Sequence, residues 1–209
     1  MNTKLLVDKY KAIALKKFFD SPGKKWNIYI DEQGGSYDFA GFKTSKPSLA
    51  ISESAIKYIK ESLEKLDSII SLDFEIVSKP QNALTWIKSH DYAIGGGSSV
   101  GTNFPYWVIK GNKQNPKSAQ FIYNDITRNT PAIAEYVGAS SISEAYDSSY
   151  WKNTFLHELG HALGLEHLWD STDGDSSDLD HGADLTTMAY KPAKDPSING
   201  DWPLWFTEF

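Results

Sequence analysis

The sequence predicts an α+β fold, and three observations support this prediction. Apolar residues recur every 3.6 positions between about 49 and 67, which predicts a long amphipathic helix. Alternation of apolar and polar residues predicts short strands on either side of it, at 26–30 and 72–78. A second helix is predicted within the stretch TFLHELGHALGLEH, residues 154–167, and is expected to end at Gly164. A chain of 209 residues is long enough for one unit with a sizeable core.

The other elements follow in chain order. Residues 4–19 are rich in lysine with apolar residues interleaved, and this pattern predicts an amphipathic helix. We expect that helix to dock on the domain, with a membrane-surface or inhibitory role as the alternative. The polar stretch 124–149 predicts a long connection with a short helix around 131–137. Further strands are predicted at 83–88, 106–109 and 119–123.

Composition excludes several classes of function. A net charge of −6 argues against a nucleic-acid partner. No apolar run approaches the 18 residues that a membrane span needs. The absence of cysteine excludes disulfides and zinc–cysteine sites. The apolar run within the first seven residues is too short for a signal peptide.

The histidine motif predicts a metal site. His157 and His161 are four residues apart, so on a helix they project from one face about 40° apart. Gly164 tolerates a left-handed backbone, which lets the chain turn and return His167 as a third ligand. Three neutral imidazoles with an open fourth position are typical of catalytic zinc, and Glu158 is placed to accept a proton from water. An ordinary amphipathic helix with surface histidines is the alternative, which the complete spacing disfavours.

The spacing HExxHxxGxxH resembles that of the metzincin zinc metallopeptidases. Residues 185–190, LTTMAY, are similar to their Met-turn, in which a methionine (here Met188) underlies the zinc. HELGHALGLEH, with Tyr190 two places after Met188, is most similar to the serralysin (M10-type) catalytic domain. One departure is Leu168, which stands where serralysins usually have proline. The resemblance implies a metzincin-like zinc peptidase with a twisted mixed sheet, a long backing helix and a zinc-binding active-site helix.

The resemblance also implies roles for individual residues. The protein would be a zinc endopeptidase acting on proteins or peptides, with Glu158 as the general base. Tyr190 would donate to the oxyanion or act as a swinging ligand, and Met188 would be a packing residue. The chain around Tyr92–Ser99 would supply the edge strand above the cleft. The alternative is a zinc-binding interaction or toxin module that has lost catalysis, but zinc binding alone does not require Glu158.

Domain limits, secretion and calcium complete the predictions. We assign residues 1–25 to an N-terminal helical extension and 26–209 to the catalytic domain. Nineteen residues follow Tyr190, without the glycine- and aspartate-rich repeats of serralysins, which leaves a clipped domain or a reduced variant as alternatives. The resemblance implies secretion without an N-terminal signal peptide.

Five aspartates crowd the segment after the histidine motif: Asp170, Asp173, Asp175, Asp178 and Asp180. This acidic segment predicts either a solvated loop or a calcium site without EF-hand spacing.

Overall fold

The computed structural model describes residues 8–19, 23–35, 38–39, 42–43, 47–91, 101–112 and 115–167. In this part of the chain the helices are α1 (Lys9–Phe19), α2 (Glu53–Asp67), α3 (Thr130–Val137), α4 (Ile142–Asp147) and α5 (Ser149–Ala162). The strands are β1 (Trp26–Ile30), β2 (Asp38–Phe39), β3 (Phe42–Lys43), β4 (Phe74–Ile76), β5 (Thr85–His90), β6 (Gly101–Asn112) and β7 (Asn115–Asn129). The fold is therefore a mixture of helices and strands, as predicted.

Five of the strands form one mixed sheet in the order β4-β1-β5-β7-β6. β1 runs parallel to both β4 and β5, and β5 runs parallel to β7. β6 is antiparallel to β7 and lies at one end of the order, so it is an edge strand. β2 and β3 pair separately with each other. The prediction of a mixed sheet is confirmed for these five strands.

The core lies between the sheet and the helices α2 and α5. Along β1 every second residue is buried, beginning with Trp26, whose Nε1 donates to Thr85 Oγ1 of β5 at 2.7 Å. The apolar stripe of α2 buries Ala55, Ile59 and Leu63. The rings of Tyr58 and Phe155 meet edge-on at 6.3 Å, so α2 backs α5 as expected of the long helix.

Several predicted boundaries differ from the observed ones. α2 begins at Glu53 rather than near residue 49, because Ser52 Oγ accepts a hydrogen bond from the Ala55 amide and caps the helix. α1 begins at Lys9, where Asp8 accepts from the Lys11 amide at 3.0 Å, and residues 1–7 lie outside the described chain. The helix predicted around 131–137 is confirmed by α3.

The strand predictions were less accurate than the helix predictions. The observed β4 lies within the predicted 72–78 and is two residues shorter at each end, and the observed β5 is offset by two residues from the predicted 83–88. β6 and β7 are far longer than predicted and pair from Gly101↔Arg128 to Asn112↔Asn115. The long connection predicted for 124–149 was wrong, since β7 continues to Asn129 and α4 follows α3. These polar segments form strands because they pair with a neighbouring strand. The local alternation of apolar and polar residues does not reveal that pairing.

No helix in the described part of the chain combines the length and the hydrophobicity needed to cross a membrane.

Candidate metal centre

α5 is capped and anchored at its first turn. Ser148 Oγ accepts from the Trp151 amide at 3.1 Å and so caps the helix. The buried Trp151 ring stacks on Phe155 at 6.2 Å, and its Nε1 donates to Thr130 Oγ1 at 3.3 Å. These contacts fix the rotation of α5 about its own axis, and hence the direction of its histidine face.

The three predicted ligands converge. His157 and His161 project from α5, and His167 returns to them from the turn beyond the helix. His167 Nε2 lies 3.1 Å from His157 Nε2 and 3.2 Å from His161 Nε2. All three imidazoles offer a nitrogen within 4.8 Å of the others, and the cluster is partly to fully buried. The described residues thus contain the predicted three-histidine cluster.

The turn after α5 explains how His167 reaches the cluster. Gly164 has φ +92°, and its amide donates to the His161 carbonyl at 3.1 Å. The Leu165 amide donates to the Gly160 carbonyl at 2.9 Å. This pair of hydrogen bonds around a left-handed glycine is the Schellman motif, which ends a helix and reverses the chain. The predicted role of Gly164 is confirmed.

The same turn orients His161. Its Nδ1 lies 2.9 Å from the Leu165 carbonyl oxygen, which can only accept, so Nδ1 carries the hydrogen. A neutral His161 then presents a lone pair at Nε2, the atom that faces the other histidines. Burial, together with the nearby His157, lowers the pKa of His161 to about 3. His161 is therefore in the neutral form that metal binding requires.

The donor set fits a tetrahedral zinc ion. Zinc–nitrogen bonds of about 2.0–2.1 Å place two ligand nitrogens about 3.3–3.4 Å apart. The observed Nε2 separations of 3.1 and 3.2 Å are close to this spacing. Three histidines without a fourth protein ligand among the described residues match a site that keeps one position open.

Of the remaining predicted site residues, only Glu158 lies in the part of the chain that the structure describes. Glu158 lies on α5 directly after His157, and its side chain is 7% exposed. Met188 and Tyr190 lie outside the described residues, as do the acidic segment 170–180 and the segment 92–99. β6, the edge strand of the described sheet, begins at Gly101, beyond the segment for which the resemblance implied an edge strand.

The sequence did not predict the contact of α1 with the histidine turn. The Asp8 amide donates to the Gly164 carbonyl at 3.0 Å. A Cβ added at Gly164 would lie 3.2 Å from Leu15 Cδ1, so α1 packs directly on this glycine. Phe19, at the end of α1, stacks on Trp26 at 5.5 Å. No local pattern signals this contact, because its two partners are far apart in the chain.

Gly164→Ala should weaken metal binding, and Gly138→Ala is its matched control. Gly138 ends α3 in the same two-bond motif with φ +67°, but open space surrounds the position of its Cβ. Alanine in a left-handed conformation costs about 1–2 kcal/mol in both variants, and the close contact with Leu15 Cδ1 should destabilise Gly164→Ala somewhat more. Gly164→Ala should additionally lower zinc affinity by about tenfold, because the turn orients two ligands.

Thermal melting and zinc titration against a competing chelator measure the two effects separately. Equal zinc affinities in the two variants would show that the Gly164 turn does not set the ligand geometry.

A cavity of about 380 Å³ lies at the carboxyl ends of β1 and β4. Its lining includes Tyr29, Glu32 and Val77 but none of the three histidines. The cavity is therefore separate from the metal centre.

The comparisons with known proteins agree with the geometry of the metal centre. A family model described as metallo-peptidase family M12B, reprolysin-like, matches residues 98–197, just under half of the chain. The matched range contains the three histidines and Glu158, together with Met188 and Tyr190. No curated protein and no solved structure matches the chain significantly.

The reprolysin-like family is a metzincin family, so the match supports a zinc metallopeptidase of the metzincin type. The narrower serralysin resemblance is not confirmed by it.

Proposed function

We propose that this protein is a zinc-dependent endopeptidase that hydrolyses peptide bonds in proteins or peptides. The observation that carries the proposal is the convergence of His157, His161 and His167, with His161 held in its metal-binding tautomer by the Leu165 carbonyl. Support comes from the match of residues 98–197 to a metallopeptidase family. Zinc bound there would act as a Lewis acid and lower the pKa of water toward about 7.

Glu158 is the residue that would move the proton. Its carboxylate would accept the proton of the attacking water and then deliver it to the leaving amine. Burial of Glu158 limits its contact with bulk water, which favours transfer to the substrate over loss to solvent. Retention of a glutamate at this position also favours a peptidase over a zinc-binding module without catalysis.

The finer assignment within the metzincins is also a proposal. HELGHALGLEH and the tyrosine two places after Met188 support a serralysin-like site, in which Tyr190 would donate to the oxyanion. Met188 would pack beneath the histidines without taking part in the reaction. Binding of calcium by the acidic segment 170–180 stays a prediction from the charge pattern alone.

Metal analysis together with casein digestion tests the proposal. The purified protein should hold about one zinc per chain after loading, as expected for one complete ligand set. Casein cleavage should disappear with a strong chelator and return with zinc. The matched variant His161→Ala should neither retain zinc nor cleave casein.

Two results would contradict the proposal in different ways. Less than about a tenth of an equivalent of zinc after loading would show that the chain has no zinc site. A full equivalent of zinc without cleavage of casein or gelatin would support the zinc-binding interaction module instead.

A further inference from the structure

The histidine face of α5 carries one more polar residue, Asn153. It precedes His157 by four positions, so it lies about 40° from that ligand on the helix wheel. His161 is displaced from His157 by the same angle in the opposite direction. Asn153 therefore extends the strip of metal ligands by one turn toward the start of α5.

The side chain of Asn153 is buried with neither of its polar atoms paired. It is 6% exposed, and neither Oδ1 nor Nδ2 has a hydrogen-bond partner in the structure described. Some buried polar groups of the core are paired, such as Ser89 Oγ with Thr130 Oγ1 at 2.6 Å. A buried amide without partners destabilises the folded state, whereas leucine of similar volume would not. Packing alone therefore does not explain an asparagine at this position.

Its place on the helix indicates what would pair with it. Four residues correspond to about 6 Å along the helix axis. An extended peptide advances about 3.3 Å per residue, so a peptide that binds at the histidines and runs along α5 would have a side chain within two residues of the cleaved bond beside Asn153. An amide offers both a donor and an acceptor, and another amide complements both.

We propose that Asn153 is a specificity-determining residue that recognises an asparagine or glutamine side chain next to the scissile bond. The inference rests on the proposed peptidase function and names its substrate class. Pairing with a substrate amide satisfies both Oδ1 and Nδ2, which the protein itself leaves unpaired. A site that hydrogen-bonds a substrate group discriminates strongly against an analogue without it, because its own polar atoms then stay buried and unpaired.

A peptide library cleaved by the zinc-loaded full chain tests the proposal. The wild-type protein should favour asparagine or glutamine over leucine at one position flanking the cut, by at least about tenfold in kcat/KM. Asn153→Leu should abolish or invert that preference. Without metal, the same variant should melt at a higher temperature than the wild type, because an unpaired buried amide has been removed.

Ser62→Ala is the matched control. Ser62 is also buried on a helix, but its hydroxyl donates to the Tyr58 carbonyl at 2.8 Å. Its substitution should leave the cleavage profile unchanged and should not raise the melting temperature. If Asn153→Leu fails to fold, the smaller Asn153→Ser must still lose the amide preference.

The outcomes separate this inference from the proposed function. An active wild type whose profile is the same in Asn153→Leu would overturn the inference alone, and a raised melting temperature would then mark Asn153 as an unpaired structural residue. A zinc-loaded wild type that cleaves no peptide would overturn both proposals.

Discussion

Glu158→Gln should reduce peptide hydrolysis at least a hundredfold while leaving zinc content and thermal stability close to those of the wild type. Glutamine has nearly the shape of glutamate, so the buried position is filled, but its amide cannot accept the proton of the attacking water. A general base contributes typically about 10²–10⁴ in rate, which sets the expected size of the loss. Steady-state cleavage of a quenched fluorescent peptide, with zinc measured on the same samples, gives both quantities.

Glu166→Gln is the control for this experiment. Glu166 is a second buried glutamate adjacent to a histidine of the cluster, His167. The same substitution there should cost less than about tenfold in activity, because we assign Glu166 no proton transfer. If Glu158→Gln kept more than about a tenth of wild-type activity, Glu158 would not be the base.

Tyr190→Phe should lower kcat by roughly ten- to a thousandfold with little change in KM. A hydroxyl that donates to the oxyanion acts on charge that develops in the transition state, so it lowers the barrier without aiding substrate binding. Phenylalanine keeps the ring and removes only that donor. Separate determination of kcat and KM on one peptide distinguishes this role from one in binding.

Tyr146→Phe provides the comparison for loss of a tyrosine hydroxyl elsewhere. The Tyr146 hydroxyl donates to the Ala50 carbonyl at 2.9 Å, away from the histidine cluster. Its removal should reduce thermal stability and leave kcat near the wild-type value. Wild-type kcat in the Tyr190→Phe protein would dismiss the proposed role and remove one reason to place the site among the serralysin-like ones.

The three-histidine cluster could be predicted from the sequence because its determinants are local. The angle between His157 and His161 follows from helix geometry, and the return of His167 follows from one left-handed glycine. The cap of α5 is local as well, since the Ser148 hydroxyl accepts a hydrogen bond from an amide three residues away.

Features that depend on distant partners were predicted poorly. The lengths of β6 and β7 are set by their mutual pairing, which continues through polar residues that carry no strand pattern. The unpaired amide of Asn153 is likewise visible only after folding, because the sequence does not show which side chains surround it. Met188 and Tyr190 remain predictions from the motif.

The hydrogen bond from the Asp8 amide to the Gly164 carbonyl has a consequence for the order of folding. A contact between residues so far apart closes a loop of most of the chain, and because that closure costs entropy we expect it to follow the local contacts. The turn that supplies His167 is therefore braced only after the chain between α1 and α5 has folded. Full metal affinity should then develop as the last step of folding, so incompletely folded chains would have little capacity to hydrolyse one another.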